Sequence, residues 1–313
     1  MKQRVIFAFP RWRRNQGSVV PRVQQNAKLL AEVYSDTYEV ETVALAKPRF
    51  TEQHEEFVRH AKGAVVIGLQ TSLRLLGRDR MIALRETSAG MCSDHVDSVP
   101  ETDELGIYHA HILASRVGCG RVNTRLAKEG VSGSSVVHVT HHADPRITLV
   151  SAASRSDFRI GYLGNPRKMI APPDPRAVQV LTYKDQSDYT KALQQMTDYP
   201  MHYGVRPRSA SREVSKPFTK GFFAAAMGAN ILVNRQTDDA EFYLGTDYPY
   251  LIKSFRARHI AEGIETARAG YGGAEWRRGL EVMEHVRQLS TPNFAIRELS
   301  EAIKTALAIA DQN

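Results

Sequence analysis

From its first residues to its last, the chain alternates short β-branched or apolar runs with longer amphipathic stretches, and no repeat of about 20 to 50 residues interrupts them. This alternation predicts an α/β architecture with mainly parallel sheets, because two parallel neighbours need a crossover, usually helical, to carry the chain back to the same edge. Residues 4–9 read as a strand closed by Pro10, followed by a helix at about 22–34, a strand at 39–44, a helix at 52–61 and a buried-type strand at 63–69. That is a βαβαβ unit. A helix at roughly 73–87 and strands at 91–96, 107–114 and 135–140 bring the first half to six strands, with residues 123–129 in a helix.

The second half restarts with a strand at 158–163 that ends in Gly164-Asn165-Pro166. Strands at 177–182, 202–205 and 229–234 follow, with helices at 189–196, 217–227, 254–269, 274–289 and 292–310. A chain of 313 residues is long enough for two domains of about 150 residues, each with its own core. Pro145, Ser151, Ser154 and Ser156 break both periodicities and put a linker at about 143–157. The expectation is therefore two Rossmann-like, doubly wound domains, 1–150 and 151–313, facing a central cleft. In such folds ligands bind beyond the carboxyl ends of the strands, so the loops after the strands are where chemistry is sought.

Composition narrows the function classes. The two cysteines, Cys92 and Cys119, make a disulfide framework no part of the design, and the amino terminus lacks the pattern of a signal peptide. No apolar run approaches the roughly 20 residues that span a bilayer. A cytoplasmic protein is expected, with peripheral contact at the inner membrane face open to it. Forty-two Lys and Arg against 34 Asp and Glu leave +8, which suits anionic ligands, an anionic membrane or nucleic acid. An aromatic-and-basic stacking series is missing, which argues against nucleic acid.

The most informative stretch runs from Ser211 to Gly228 and on into the apolar strand. Ser215 is placed to cap a helix with Pro217 in its first turn, and the open amides of such a turn attract an anion. Lys216 and Lys220, four apart, then share one helical face near that positive end, where a phosphate is the natural compensator. Arg206 and Arg208 leave a strand end upstream, with planar heads suited to phosphate oxygens.

Lys216-Pro-Phe-Thr-Lys220, a small-residue helix ending Ala-Ala-Ala-Met-Gly228, and then Ile231-Leu-Val resemble the donor-binding segment of the GT-B glycosyltransferases. Gly161-Tyr-Leu-Gly-Asn165 is similar to the opening strand and glycine turn of the same domain. Cys92-Ser-Asp-His-Val-Asp-Ser98, Ile112-Leu-Ala-Ser115 and Val136-Val-His-Val-Thr-His-His-Ala-Asp144 resemble first-domain segments, and the pieces stand in the family's order. The resemblance implies a nucleotide-sugar donor in the second domain, a saccharide or lipid-linked acceptor in the first, and no cofactor or obligatory metal. It further implies transfer of a sugar to that acceptor, in bacterial surface glycan or glycoconjugate synthesis. Gly164, Asn165, Arg206, Arg208, Glu213, Lys216, Thr219 and Lys220 are the expected donor residues. The sequence departs from the pair of glutamates seven residues apart in many retaining members: Glu213 is followed at that distance by Lys220. The stereochemical outcome is thereby left open.

A transferase also needs a proton acceptor or an environment that lets the diphosphate leave. Asp94 and Asp97 flank His95 at a strand end, and His141, His142 and Asp144 stand at the expected domain junction. Asp94, Asp97, His141 and His142 are the candidate bases. His138, His109 and His111 alternate into strand interiors and read as packing residues, and their spacing fits no metal motif. Asp238-Asp-Ala-Glu241 reads as a helix start, and Arg11-Trp-Arg-Arg14 as a basic loop able to meet an acidic acceptor, a lipid diphosphate or a membrane. A nucleotide-sugar epimerase on the same fold and a non-catalytic nucleic-acid or membrane-binding protein are the competing readings.

Overall fold

The computed structural model of the protein describes residues 2–15, 17–147, 149, 155, 157–207, 211 and 213–312. They form two compact units. One comprises Met1–His141, Ser211–Pro217 and Asn293–Asn313; the other comprises His142–Ala210 and Phe218–Pro292.

The first unit is built on six parallel strands in the order β2-β1-β3-β4-β5-β6, namely β1 (Gln3–Pro10), β2 (Tyr38–Leu45), β3 (Val65–Leu69), β4 (Gly90–His95), β5 (Ala110–Leu113) and β6 (Ser135–His138). Its helices in the first half are α1 (Asn26–Val33), α2 (Thr51–His60), α3 (Gln70–Leu73), α4 (Arg78–Thr87) and α5 (Arg116–Lys128), and a π-helical turn, Val20–Gln25, leads into α1. Both faces of the sheet are covered, as an all-parallel sheet requires. Val5, Phe7 and Phe9 of β1 pack on one face with Leu30 of α1, while Ile6 and Ala8 pack on the other with Phe57 of α2 and Leu84 of α4.

The second unit holds five parallel strands, β7 (Ile160–Leu163), β8 (Gln179–Leu181), β9 (Met201–Tyr203), β10 (Asn230–Asn234) and β11 (Leu251–Ile252), in the order β11-β10-β9-β7-β8. Between them run α6 (Gln186–Met196), α7 (Thr219–Ala226), α8 (Ala240–Leu244), α9 (Ala257–Ala269) and α10 (Ala274–Gln288). The chain leaves β7 outward to β8, then returns to the other side of β7 with β9. The order therefore reverses between β7 and β9, and their carboxyl ends frame the crevice where doubly wound sheets take ligands. In the first unit the reversal falls between β1 and β3.

Two features depart from the sequence-based expectation. The last helix, α11 (Pro292–Ala310), does not stay with the second half: Ile296, Leu299, Ala302, Ile303 and Ala306, a stripe at helical spacing, are buried in the β1/β3 core of the first unit. The segment Ser211–Pro217 also belongs to the first unit. Val99 N donates to Glu213 O, Ser215 N donates to Asp97 O, and Ser98 and Val214 form an antiparallel bridge. Both break the simple 1–150 and 151–313 division. Part of the expected linker, including Ser151, Ser154 and Ser156, lies outside the described residues.

Candidate functional site

The reversal point of the second sheet is occupied by cations. Thr219 opens α7, and the helix carries Lys220 back under the end of β7, where its Nζ donates to Leu163 O at 2.7 Å and lies 3.9 Å from the centre of the Tyr162 ring. The turn beyond β7 is made by Gly164 at φ 137, a conformation closed to other residues without strain. A Cβ there would stand 3.5 Å from Lys220 Nζ and 3.6 Å from the Tyr162 hydroxyl. Asn165 follows: its carbonyl accepts from Tyr162 OH, and its side chain caps the short turn Pro166–Lys168 through Arg167 N, leaving Lys168 exposed beside the site. From the neighbouring β9 comes Arg206, whose backbone N–H donates to Asn234 Oδ1 at 3.1 Å and so ties this loop to the end of β10.

The electrostatics of this group are one-sided. Burial pulls the Lys220 amine down to about 7, helped by the positive charges of Arg206 and Lys168. Its described partners are a carbonyl and an aromatic ring, both neutral, and among the described residues no carboxylate pairs with it. Lys220 and Lys168 thus stand at a strand-end crevice beside the first turn of a helix, neither paired with a carboxylate among the described residues, in a place suited to an anion.

Gly164, Asn165, Arg206, Thr219 and Lys220 are thus brought together as the sequence implied. Arg208 lies outside the described residues. Lys216 and Glu213 belong to the first unit. Helix α7 begins at Thr219 with Phe218 before it, not at a Ser215 cap, so Lys216 and Lys220 do not share a helical face. Glu213 is ion-paired with Arg125 of α5, which holds its carboxyl below the usual range. Sequence reasoning missed Tyr162 and Lys168, which only the β7 turn brings to the lysine. It also set aside Asp239, which follows β10, is buried, and at φ 62 is the one non-glycine residue with positive φ among the described residues. Asp is one of the few non-glycine residues that take this conformation readily, and it sets the turn that opens α8 after β10.

In the first unit the candidate bases part company. Asp94 is buried and takes both Nε and Nη2 of Arg22 at 2.8 and 2.9 Å, while Arg22 Nη1 donates to the carbonyls of Val139 and Thr140. Both oxygens of Asp94 are committed, so its role is to hold the fully buried guanidinium and not to take a proton. Asp97 stands exposed on the bend beyond β4 with no side-chain partner among the described residues. His141 and His142 are both buried, the latter donating from Nδ1 to Ala143 O at 2.8 Å; His141 closes the first unit and His142 opens the second. His95 and His111 form a buried pair at 3.2 Å, and burial draws both below the ordinary imidazole value. His138 pairs with Glu298 of α11. Among the described residues no group of three or more His, Cys, Asp or Glu is placed to hold a metal ion.

No family model matches the chain, and no curated protein matches its sequence. Solved structures do. A glycosyltransferase from Rickettsia africae superposes with a TM-score of 0.67 at 10% identity over 98% of this chain and 99% of that one. Sucrose-phosphate synthase from Thermosynechococcus elongatus gives 0.64 at 12% identity, over 98% and 100%. The chain has the GT-B glycosyltransferase fold. Another GT-B structure, Anabaena HepE in complex with UDP and glucose, matches at 0.64 and 10% identity over 96% of this chain and 99% of that one. At such identities the shared property is the fold, and the residues at the GT-B reversal point are this chain's own.

Proposed function

We propose that the protein is a glycosyltransferase whose donor is a sugar linked to a nucleoside diphosphate, with the diphosphate bound at the reversal point of the second sheet. The observation that carries this reading is Lys220: an amine drawn to about 7 by burial and by Arg206 and Lys168, with no carboxylate to balance it. A diphosphate supplies the missing charge, holds the lysine in its protonated form by drawing a proton from solvent, and accepts hydrogen bonds from the planar Arg206 head and the amides opening α7. The UDP complexes of HepE agree with a ligand of this class.

In transfer, negative charge builds on the departing diphosphate, and cations already fixed around it stabilise that charge without reorganising. Gly164 lets the backbone approach the phosphates closely. For the acceptor hydroxyl we retain Asp97, His141 and His142 as proton acceptors and drop Asp94, which Arg22 holds. The acceptor itself is taken to be a saccharide or lipid-linked sugar.

The test is a thermal-shift panel of UDP, GDP, CMP, ADP and dTDP with their sugar conjugates at two salt concentrations, followed by turnover of the responding donor. One salt-tolerant responder is expected, since binding to the folded state alone raises the melting temperature. Lys220→Ala should lower turnover by about ten- to a thousand-fold while the fold survives. A flat panel, or unchanged turnover in that variant, rejects the reading. Release of an epimerised sugar without acceptor would assign the same donor site to an epimerase.

A further inference from the structure

The ends of β1 and β2 lie side by side, with Pro10 opposite Leu45, so the loops that leave them share one edge of the first unit. Arg11, Arg13, Arg14, Lys47 and Arg49 are all exposed on these two loops. None of the five forms an ion pair among the described residues; Arg11 has only a long hydrogen bond to Gln53, and Glu52 in the first turn of α2 pairs with none of them. Elsewhere on the same unit Arg4, Arg74, Arg80 and Arg125 each hold a carboxylate. Among the five unpaired cations stand two bare aromatics, Trp12 at 44% and Phe50 at 40% exposure. Lys47 Nζ lies 6.0 Å from the Trp12 ring centre, and the Arg49 guanidinium 5.0 Å from that of Phe50.

Mutually repelling cations and exposed aromatic surface are both unfavourable in water, and one partner relieves both: an anionic surface with an apolar interior. At a bilayer, Lys and Arg meet lipid phosphates while Trp settles at the headgroup level. A soluble anion has no use for the aromatics. A nucleic acid needs a series of stacking rings along a groove, and this edge offers only two.

We propose that this edge of the first unit is a docking surface for an anionic lipid bilayer. The inference does not depend on glycosyl transfer. Because β1 and β4 are parallel neighbours of β3, the docked membrane faces the same sheet edge as the loop carrying Asp97.

The experiment pellets the full-length protein with vesicles of phosphatidylcholine alone and of phosphatidylcholine mixed with phosphatidylglycerol, and records tryptophan emission. The chain has two tryptophans and Trp276 is only 3% exposed, so a spectral change reports Trp12. Binding is expected only with phosphatidylglycerol, with emission moving to shorter wavelength. Each cation near an anionic leaflet strengthens binding about five-fold, so Arg13→Glu with Lys47→Glu should weaken it by at least about 25-fold. Trp12→Ala with Phe50→Ala should weaken it and remove the spectral change. If the reversed-charge variant melts early, Arg13→Gln with Lys47→Gln replaces it. Equal pelleting with both vesicles, no pelleting with either, or binding without a Trp12 change would overturn the proposal.

Discussion

Replacing Lys220 with methionine separates what this side chain does to the fold from what it does for a ligand. Methionine keeps most of the length and apolar stem of lysine and deletes the ammonium. The ligand-free amine sits at about 7, against 10.5 for an ordinary lysine. Between those values the folded chain binds fewer protons than the unfolded one, so stability rises with pH across that window and the full penalty applies below pH 7. At pH 7 the penalty has a ceiling of about 4 kcal/mol. Losing the bond to Leu163 O and the contact with the Tyr162 ring returns about 1–2 kcal/mol of that, and residual solvent access trims it further. The ligand-free Lys220→Met protein should then be more stable than wild type by about 1–2 kcal/mol, a rise of about 3–6 °C in melting temperature. At pH 9 the penalty falls to about 2 kcal/mol, so the gap should close, because wild type has already shed most of the bound proton. With a nucleoside diphosphate present the order reverses, since only wild type is stabilised by it. Scanning fluorimetry at pH 7 and 9, with and without UDP, GDP and dTDP, reads every arm. A variant no more stable than wild type at pH 7 without ligand, or one that responds to the nucleotide equally, refutes the reasoning.

The same lysine makes affinity for a nucleoside diphosphate pH-dependent: titration calorimetry should show it weakening by up to about tenfold per pH unit above 7, with proton uptake on binding. Arg22→Ala leaves Asp94 buried without its partner and should cost about 3–5 kcal/mol in chemical denaturation. Glu213→Gln removes only a surface pair with Arg125, so stability should change by less than about 1 kcal/mol and nucleotide affinity not at all. Deleting residues 293–313 strips Ile296, Leu299 and Ile303 from the first core, about 5–9 kcal/mol of burial, and should unfold that unit as read by circular dichroism.

The alternating pattern was enough to recover both sheets, because buried parallel strands write themselves as continuous apolar runs whatever the rest of the chain does. Positions within the site were harder. Ser215-Lys-Pro looked like a helix start because its local chemistry is that of a cap; the chain there is instead extended, with Val214 in an antiparallel bridge to the distant Ser98. Asp94 resembled a base because the guanidinium that occupies it comes from Arg22, and nothing near either residue announces the pairing. Lys220 was legible as a candidate phosphate ligand, but its depressed ionisation was not, since Tyr162, Lys168 and Arg206 meet it only once β7 and β9 are neighbours. The two-residue β11 carries too little sequence to show any period.

The assignment of α11 and of Ser211–Pro217 to the first unit means that the polypeptide passes between the units four times, after His141, Ala210, Pro217 and Pro292. During synthesis, the amino-terminal sheet is translated early and then waits with one face only partly covered, by α1, until residues 293–312 emerge. Its apolar surface must survive that interval by transient collapse or by a chaperone's cover, because the helix that closes it is made last. For the same reason, recombination at one breakpoint cannot graft a new second unit onto this first one: the exchange would carry off the lid of the core it was meant to leave intact.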